Sequence, residues 1–410
     1  MKLLFLSHEI PSPAASDTLP QYHFIRHLSV LYRHDITLIS FVSERSRAED
    51  LEYLKNVCTL EDPISIQWGA LPKMLLKAAK NSILNLSKNL KHGLYMNELD
   101  SYYDQRMEQK IHKVLKKNNF ELIFSTRQMA NYVVDVDVPK IVQPFDAMSE
   151  WHRQVSSNSR GLKRIFYFIR YALNRSYEKH IYEKFDACLV VTQLDKKLLE
   201  SLNPLIRCVV IPNGVDIDYF SPANINEETK SLIFVADMSR TGRVAVDNII
   251  YFYNEIFPLI LSANPDVKLY LVGRDPIKEI MKLSADPLVS VTGYVSDVRP
   301  YLAKSTVSIA PWFIGTTGMK NKVLEAMSMG KAVVTTTNGA RGIAAKNKEH
   351  LVIADNFNEF AREIVSLLND QNLRHRLGEN ARRLMEVRYS WEVVTKTLNE
   401  LLLNVLLASE

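Results

Sequence analysis

The sequence lacks an uninterrupted apolar run of the ~20 residues that a helix needs to cross a bilayer. Its first residues, MKLLFLS, contain an apolar run too short for the core of a secretion signal, and they predict a buried first strand instead. The three cysteines, Cys58, Cys188 and Cys208, show neither CxxC nor Cys/His spacing, so no structural zinc site is expected. Together these features predict a cytoplasmic protein with reduced, buried thiols.

Signatures of two ligand classes are also missing. No GxGxxG motif is present, so a dinucleotide-binding fingerprint is not supported. There is no zinc-finger, RNP or helix-turn-helix signature, and the net charge of +5 is mild for 410 residues. Nucleic acid is therefore not expected as a partner.

The positive charge is concentrated in two stretches. Residues 73–92 contain five lysines and no acid, interleaved with leucine, isoleucine and methionine. A second basic and aromatic stretch, RGLKRIFYFIRYALNR, covers residues 160–175. Each is predicted to be an amphipathic helix, either an ordinary solvated one or a peripheral contact with an anionic membrane.

The chain does contain a repeated alternation of apolar runs and amphipathic segments. In the first part, helical patterns at 21–31 and 103–117 lie among apolar runs at 3–7, 35–42, 122–126, 140–145 and 187–192. The alternation then restarts, with a helical pattern at 247–261 and apolar runs at 231–238, 267–273, 289–295, 305–312 and 332–337. This rhythm predicts an α/β protein with two parallel sheets and crossover helices.

Asparagine, glycine and proline concentrate between the two halves, where the segment VVIPNGVDIDYFSP (209–222) is typical of turns and a linker. We therefore place a first domain at 1–205, a linker at 206–222 and a second domain at 223–389. A final helix begins after Ser390, which is a suitable N-cap. Because the end of that helix is strongly apolar, residues 390–410 are predicted to pack back on the first domain.

Ligands of open α/β sheets bind outside the carboxyl ends of the strands, which directs attention to three loops of the second domain. LVGRDP (271–276) ends a strand at Gly273, where glycine allows the backbone to approach a ligand closely. VTGYVSDV (291–298) contains Asp297, for which a helix-capping role is favoured. The third loop lies within APWFIGTTGMKNKVLEAMSMGKAVVTT (310–336) and precedes a helix predicted at 320–329.

This third loop has the features of a diphosphate site. The amides and dipole of a helix N-terminus favour an anion, and Lys320 and Lys322 add positive charge. Glu325 lies in the first turns of the helix, where its carboxylate suits the vicinal hydroxyls of a ribose. It is equally suited to be an ordinary helix residue that complements the dipole.

At these residues the chain resembles the family 4 glycosyltransferases. The resemblance covers most of the chain in order, through VVIPNGVDIDYFSP, LYLVGRDP, VTGYVSDVRPYLAKSTVSIAPW, VLEAMSMGKAVVTT and SWEVV (390–394). Within the family it is most similar to the sugar transferases of exosortase-linked exopolysaccharide loci, through NKVLEAM, DVRPYLA and FDAMSEWHRQ (145–154). It implies the GT-B fold, in which two Rossmann-like α/β domains face each other across a cleft and a C-terminal helix crosses back to the first domain.

The resemblance also implies roles for individual residues. Glu325 would hold the donor ribose, Lys322 would carry diphosphate charge, and Asp146, or His152 a little later, would act in the first domain. The residues expected to contact the donor are Arg240, Arg243, Gly273, Arg274, Val295, Gly315, Thr316, Thr317, Gly318, Met319, Lys320, Asn321 and Glu325.

Three departures from the family pattern affect these expectations. Thr317 stands where the family usually has a second glutamate, and PSPAASDTLPQ (11–21) replaces a glycine pair after the first strand. The segment ADMSRTGR (236–243) lacks the usual arginine and lysine in register. Arg240, Arg243 or the lysines of the third loop are the candidates to supply the missing charge.

The resemblance implies hexosyl transfer from a UDP- or GDP-linked sugar with retention of anomeric configuration and with no metal or other cofactor. The expected acceptor is a glycan or a lipid-linked glycan of cell-envelope or exopolysaccharide biosynthesis, on the inner face of the membrane. Two alternatives stay open: a catalytically inactive GT-B protein that serves as a binding partner, and an epimerase or phosphorylase of the same fold. The departures keep the first open, whereas the linker and VLEAM motifs favour the transferase.

Overall fold

A computed structural model describes residues 1–66, 102–223, 225–239, 242–314 and 318–409. The chain forms two compact units, Met1–Ile211 with Val394–Glu410, and Pro212–Val393. The predicted basic helix at 73–92 and four donor-site candidates, Arg240, Gly315, Thr316 and Thr317, lie outside the described residues.

In the described part of the first unit, eight parallel strands form one sheet. They are β1 (Lys2–Ser7), β2 (Asp35–Val42), β3 (Thr59–Leu60), β4 (Ile64–Ser65), β5 (Leu122–Thr126), β6 (Lys140–Phe145), β7 (Ala187–Val190) and β8 (Cys208–Val210). Their order is β3-β2-β1-β5-β6-β7-β8, and β4 pairs with β2. Every residue of β5 and β7 is buried, as expected of parallel strands covered on both faces. The runs predicted at 35–42, 122–126 and 140–145 match β2, β5 and β6.

Six helices cover this sheet in the described residues: α1 (Leu19–Val30), α2 (Ala48–Val57), α3 (Gln105–Lys117), α4 (Met148–Ser157), α5 (Gly161–Ile181) and α6 (Gln193–Leu202). Asp104 caps α3 by accepting the amide of Arg106 at 2.8 Å. Thr192 caps α6 by accepting the amide of Asp195 at 3.1 Å. The basic stretch at 160–175 is helical from residue 161 onward, as predicted, and it forms the first part of α5.

Six parallel strands form the sheet of the second unit: β9 (Ser231–Val235), β10 (Lys268–Val272), β11 (Val289–Gly293), β12 (Val307–Ala310), β13 (Val333–Thr335) and β14 (Val352–Ile353). Their order is β11-β10-β9-β12-β13-β14. Several of these strands are shorter than the apolar runs that predicted them. The strands predicted at 231–238 and 305–312, for example, end early. The chain leaves the sheet at Ala236 and at Pro311 to form loops.

The helices of this unit are α7 (Arg243–Tyr251), α8 (Phe257–Ala263), α9 (Lys278–Met281), α10 (Arg299–Lys304), α11 (Asn321–Ser328), α12 (Phe357–Asn369) and α13 (Gln371–Leu384). A π-helical turn, Phe252–Ile256, joins α7 and α8. Within the described ranges the continuous helix Arg243–Ala263 alone is long and apolar enough to cross a bilayer. Its side chains at Val246 and Ile249 belong to the hydrophobic core, and a core helix of an α/β unit has this same composition.

The last helix, α14 (Trp391–Leu407), begins where the sequence predicts it. Ser390 Oγ accepts the amide of Val393 at 3.3 Å, which confirms the N-cap. From Val394 onward the helix groups with the first unit, where Asn399 Oδ1 lies 2.6 Å from Nε2 of His34. The C-terminal helix therefore returns to the first domain, as expected of the fold.

The boundary between the units lies later than the predicted linker start at 206. Cys208–Val210 pairs with β7 as the last strand of the first sheet, so the first unit ends at Ile211. The second unit starts at Pro212 because Val215 bridges to Ser390 and Gly214 packs on the indole of Trp391.

Candidate functional site

The order of the second sheet identifies where a ligand of this unit should bind. β9 has β10 on one side and β12 on the other, so the crossover direction reverses between β9 and β12. Ligands of such sheets bind in the crevice at this reversal, outside the carboxyl ends of the strands. Two segments border it, Ala236–Ser239 after β9, and the described residues 311–314 and 318–320 between β12 and α11.

The start of α11 places positive potential at this edge. The amides of Val323 and Leu324 both reach the carbonyl of Lys320, at 3.0 and 3.4 Å, so the helix ladder begins at that residue. The preceding amides have no acceptor within the helix, and they and the helix dipole favour an anion. Lys320 Nζ donates to the carbonyl of Gly318 at 3.1 Å and lies 5.5 Å from the ring centroid of Trp312. The sequence placed this helix start one residue early, at 320.

Glu325 lies one turn into α11 and is only 7% exposed. Both of its carboxylate oxygens are 2.9 Å from Nζ of Lys322, whose side chain is half-exposed. Burial raises the pKa of Glu325, although the ammonium of Lys322 opposes the shift. A buried carboxylate beside one cation is a strong acceptor for hydroxyl groups. The structure thus joins two of the predicted catalytic residues, Glu325 and Lys322, in one ion pair.

The linker segment supports the same helix start. Asn213, in the sequence IPNG, donates through Nδ2 to Oδ1 of Asn321 at 2.8 Å. Asn321 is the first residue of α11, and Met319, two residues before it, is buried. Two of the segments that carry the family resemblance, IPNGVD and NKVLEAM, are therefore in direct contact.

The glycine after β10 allows a close contact between two loops of the second unit. A Cβ at Gly273 would lie 1.7 Å from the carbonyl oxygen of Ala236, so glycine is needed for the close approach of two loops. Arg274 extends this contact, because its Nε and Nη2 donate to Oδ2 of Asp237 at 3.1 and 2.8 Å. Burial opposes ionisation of Asp237, but hydrogen bonds from Ser239 and Arg274 outweigh it and lower the pKa.

Two donor candidates remain, one at the start of α7 and one after β11. Arg243 is the first residue of α7, with Nε 2.7 Å from Asp247 Oδ1 and Nη1 3.5 Å from Glu279 Oε1. Val295 follows β11, the strand farthest from the reversal on that side of the sheet, and is half-buried.

In that same loop, Asp297 Oδ1 accepts the amide of Arg299 at 2.9 Å. Arg299 is the first residue of α10. The N-cap position is occupied by Val298, so Asp297 lies one residue before the cap and accepts the first amide of the helix from there.

In the first unit, Asp146 follows β6 in a tightly held turn. The residue before it, Phe145, has a left-handed backbone with φ of 68°, a conformation that costs a non-glycine residue about 1 kcal/mol or more. Asp195 Oδ1 accepts the amide of Ala147 at 3.0 Å, and Glu178 Oε1 accepts that of Ser149 at 3.0 Å. Two buried carboxylates therefore fix the backbone on the C-terminal side of Asp146.

His152, the alternative to Asp146, is a core residue. Its side chain is fully buried in α4, and its ring centroid lies 4.9 Å from that of Trp151 and 6.0 Å from that of Tyr167. Burial, with a contribution from Arg127, lowers the pKa of His152 to about 4, so the imidazole is neutral near pH 7. The half-buried Asp146 at the strand end is better placed to meet a substrate.

The structure and sequence of this chain are similar to those of known sugar transferases. Residues 229–370 match the family described as Glycosyl transferases group 1. Sucrose-phosphate synthase from Thermosynechococcus elongatus superposes with a TM-score of 0.69 at 14% identity, over the whole of both chains. The chain has the GT-B fold, and its second unit carries the glycosyltransferase domain.

Two further proteins are similar to this chain in sequence, and one further solved structure is similar to it in fold. An uncharacterized 44.6 kDa protein in the cps region of Klebsiella pneumoniae is 21% identical over 97% of this chain and 98% of its own length. The capsular polysaccharide biosynthesis glycosyltransferase CapM of Staphylococcus aureus is 26% identical over 48% of this chain and 54% of its own length. Anabaena HepE, solved in complex with UDP-glucose, superposes with a TM-score of 0.61 at 13% identity over 98% of this chain and 100% of its own.

Sequence reasoning missed a polar group at the reversal point of the first sheet, between β1 and β5. His8 and Glu9 follow β1 and are buried, and His8 Nε2 lies 3.7 Å from Asp17 Oδ2. Arg127 follows β5 and donates to Oδ1 of Asn174 on α5. A signal was available for His8, Glu9 and Arg127, because these polar residues stand within two residues of the end of an apolar strand.

The described ranges contain no group of three histidine, cysteine or acidic side chains placed to hold a metal ion. The positive charge at the α11 end of the second sheet comes from lysines and the helix start.

Proposed function

We propose that this glycosyltransferase transfers a hexose from a UDP- or GDP-linked sugar to a glycan or lipid-linked acceptor with retention of configuration, as family 4 enzymes do. The observation that carries the proposal is the buried Glu325 on a helix that starts at the reversal point of the second sheet. The UDP-glucose complex of HepE supports the donor class. The cps-region relative and CapM support a role in cell-envelope or exopolysaccharide biosynthesis.

In this proposal the donor binds along α11. Glu325 accepts hydrogen bonds from the ribose hydroxyls, and the diphosphate lies at the N-terminal amides of α11, near Lys320 and Lys322. Positive groups fixed in place stabilise the diphosphate as it departs with a developing negative charge. The departing diphosphate can itself take the proton of the attacking hydroxyl, so the carboxylate pair of a glycosidase is not needed. Asp146 is proposed to position the acceptor.

In the structure Lys322 forms an ion pair with Glu325, and Arg243 forms ion pairs with Asp247 and Glu279. When the donor binds, each cation would exchange a carboxylate partner for the diphosphate. A cation that acts on the developing charge affects kcat more than KM. We therefore expect Lys322→Ala, Arg240→Ala or Arg243→Ala to lower kcat with a smaller change in KM. Lys346→Ala is the matched control, since Lys346 is an exposed lysine paired with Glu349. Unchanged kinetics in all three site variants would refute the cation assignment.

Thermal unfolding in the presence of UDP, GDP and ADP tests the donor assignment. A ligand at 100 times its Kd stabilises the folded state by about 2.7 kcal/mol, so the correct nucleotide should raise Tm by several degrees. Transfer or hydrolysis of the matching nucleotide-sugar should follow, and it should persist in EDTA, because lysines and the helix start supply the charge. Binding without turnover on any acceptor would indicate an inactive binding partner. Absence of both would contradict the proposal.

A further inference from the structure

The helix α5 has one face buried in the first unit. Its buried residues are Asn174, Tyr177, Glu178 and Ile181. Near its start, Ser156 on α4 donates through Oγ to the carbonyl of Arg164 at 3.0 Å. These contacts fix the orientation of the helix, and the opposite face points to solvent in the first half of the helix.

That opposite face is apolar where a soluble helix is normally polar. Leu162, Ile165, Phe168 and Ile169 are 85%, 56%, 60% and 53% exposed, and we call these four residues the outer face of α5. They repeat at intervals of three and four, which places them on one stripe. Single exposed apolar residues are ordinary, but four large ones on adjacent turns form a continuous patch.

The charged residues of the stretch 160–175 are all of one sign. Residues 160–175 contain five basic residues and no acid. Lys163, Arg164 and Arg175 are exposed. An apolar stripe bordered by basic side chains matches the interface of an anionic bilayer, where the apolar side chains enter the acyl region and the cations meet the headgroups.

Charge also decides between a bilayer and a second copy of the chain. In a two-fold symmetric dimer the same patch meets itself. The basic side chains beside the outer face would then lie against their own copies without any acid in 160–175 to compensate them. An anionic lipid surface compensates the charge and accepts the apolar residues together.

We propose that the outer face of α5 is a docking surface for anionic lipid, which holds the enzyme at a membrane. The inference deepens the lipid-linked acceptor named above, but it rests on the surface of α5 and not on the chemistry of α11. Each basic residue near an anionic surface contributes on the order of a fivefold gain in binding. Docking therefore needs both the apolar stripe and the cations, and it is sensitive to salt.

Flotation with vesicles tests the surface. The full-length protein should bind vesicles of phosphatidylcholine with phosphatidylglycerol and not vesicles of phosphatidylcholine alone, and added salt should weaken binding. We expect the triple variant Leu162→Gln, Ile165→Gln, Phe168→Gln to lose at least tenfold in binding while Tm is kept, because the replaced side chains are exposed. Exchange of Lys163, Arg164 and Arg175 for glutamine should also lose at least tenfold.

Two control variants distinguish binding through the outer face of α5 from non-specific hydrophobic adsorption and from non-specific electrostatic binding. Leu205→Gln with Val387→Gln removes exposed apolar residues elsewhere, and Lys116→Gln with Lys117→Gln removes exposed charges from α3. Both should bind as the parent does. Equal loss in the controls, equal binding to neutral vesicles, or self-association that the triple variant abolishes would overturn the proposal. Transfer to a soluble acceptor should be unchanged in every variant, so failure of docking and failure of the enzyme are distinguishable.

Discussion

Glu325→Gln combined with a change in the ligand tests the donor site most directly. The carboxylate offers two charged oxygens, whereas glutamine of the same length offers one neutral oxygen and an amide that can only donate. If both oxygens serve ribose hydroxyls, the variant loses a charge-assisted hydrogen bond worth about 1.5–3 kcal/mol. Affinity for the nucleotide should then fall by about 10-fold to 150-fold.

Stability should change little in this variant. The cation of the pair, Lys322, is half-exposed, and ion pairs in contact with solvent contribute about 0–1 kcal/mol. Since burial already raises the pKa of Glu325, a neutral side chain is tolerated at this position. An unchanged Tm without ligand would show that lost affinity comes from the site and not from unfolding.

The ligand provides the second half of the experiment. Titration calorimetry with the preferred nucleoside diphosphate and with its 2′,3′-dideoxy analogue measures the contribution of the ribose hydroxyls. The parent should prefer the natural nucleotide by at least tenfold, and Glu325→Gln should remove most of that preference. Lys322→Gln is the matched control, because it breaks the same ion pair and leaves the carboxylate; it should keep the preference. If Glu325→Gln keeps it as well, Glu325 is only a helix residue and the ribose assignment is wrong.

Three further variants test other parts of the structure. Gly214→Ala places a Cβ 2.5 Å from Cδ2 of Trp391, so urea denaturation should show a loss of about 1–3 kcal/mol; Trp391→Leu should recover part of it, and strictly additive losses would refute the contact. Burial raises the pKa of Glu178 from 4.5 to about 7. Between these two values the folded state binds more protons than the unfolded state, so the free energy of unfolding falls as pH rises. The loss is at most about 1.4 kcal/mol per unit of pKa shift. Glu178→Gln keeps an acceptor for the amide of Ser149 and should lack that decline, whereas a difference between variant and parent that is constant from pH 4 to 8 would contradict it. Ser390→Ala removes the cap of α14 and should cost about 1 kcal/mol in thermal unfolding; an unchanged Tm would mean that the cap adds nothing.

The alternation of apolar and amphipathic segments was sufficient to predict two parallel α/β units. Strands such as β2, β5 and β6 are buried on both faces, so their continuous apolar runs mark them along the whole strand. Short edge strands such as β3, β4 and β14 have two residues each and were missed, because two residues have no period to detect.

Residue types and order in the sequence determined the fold class, the position of α11 and the presence of Glu325 in its first turns, because helix starts, strand runs and glycine turns are local properties. Only the tertiary structure decided what each residue contacts. It assigned Gly273 to a contact with Ala236, His152 to the core and Cys208–Val210 to the first sheet. It also exposed the outer face of α5. Such contacts depend on which strands are neighbours and which helix face is covered, and distant parts of the chain decide both.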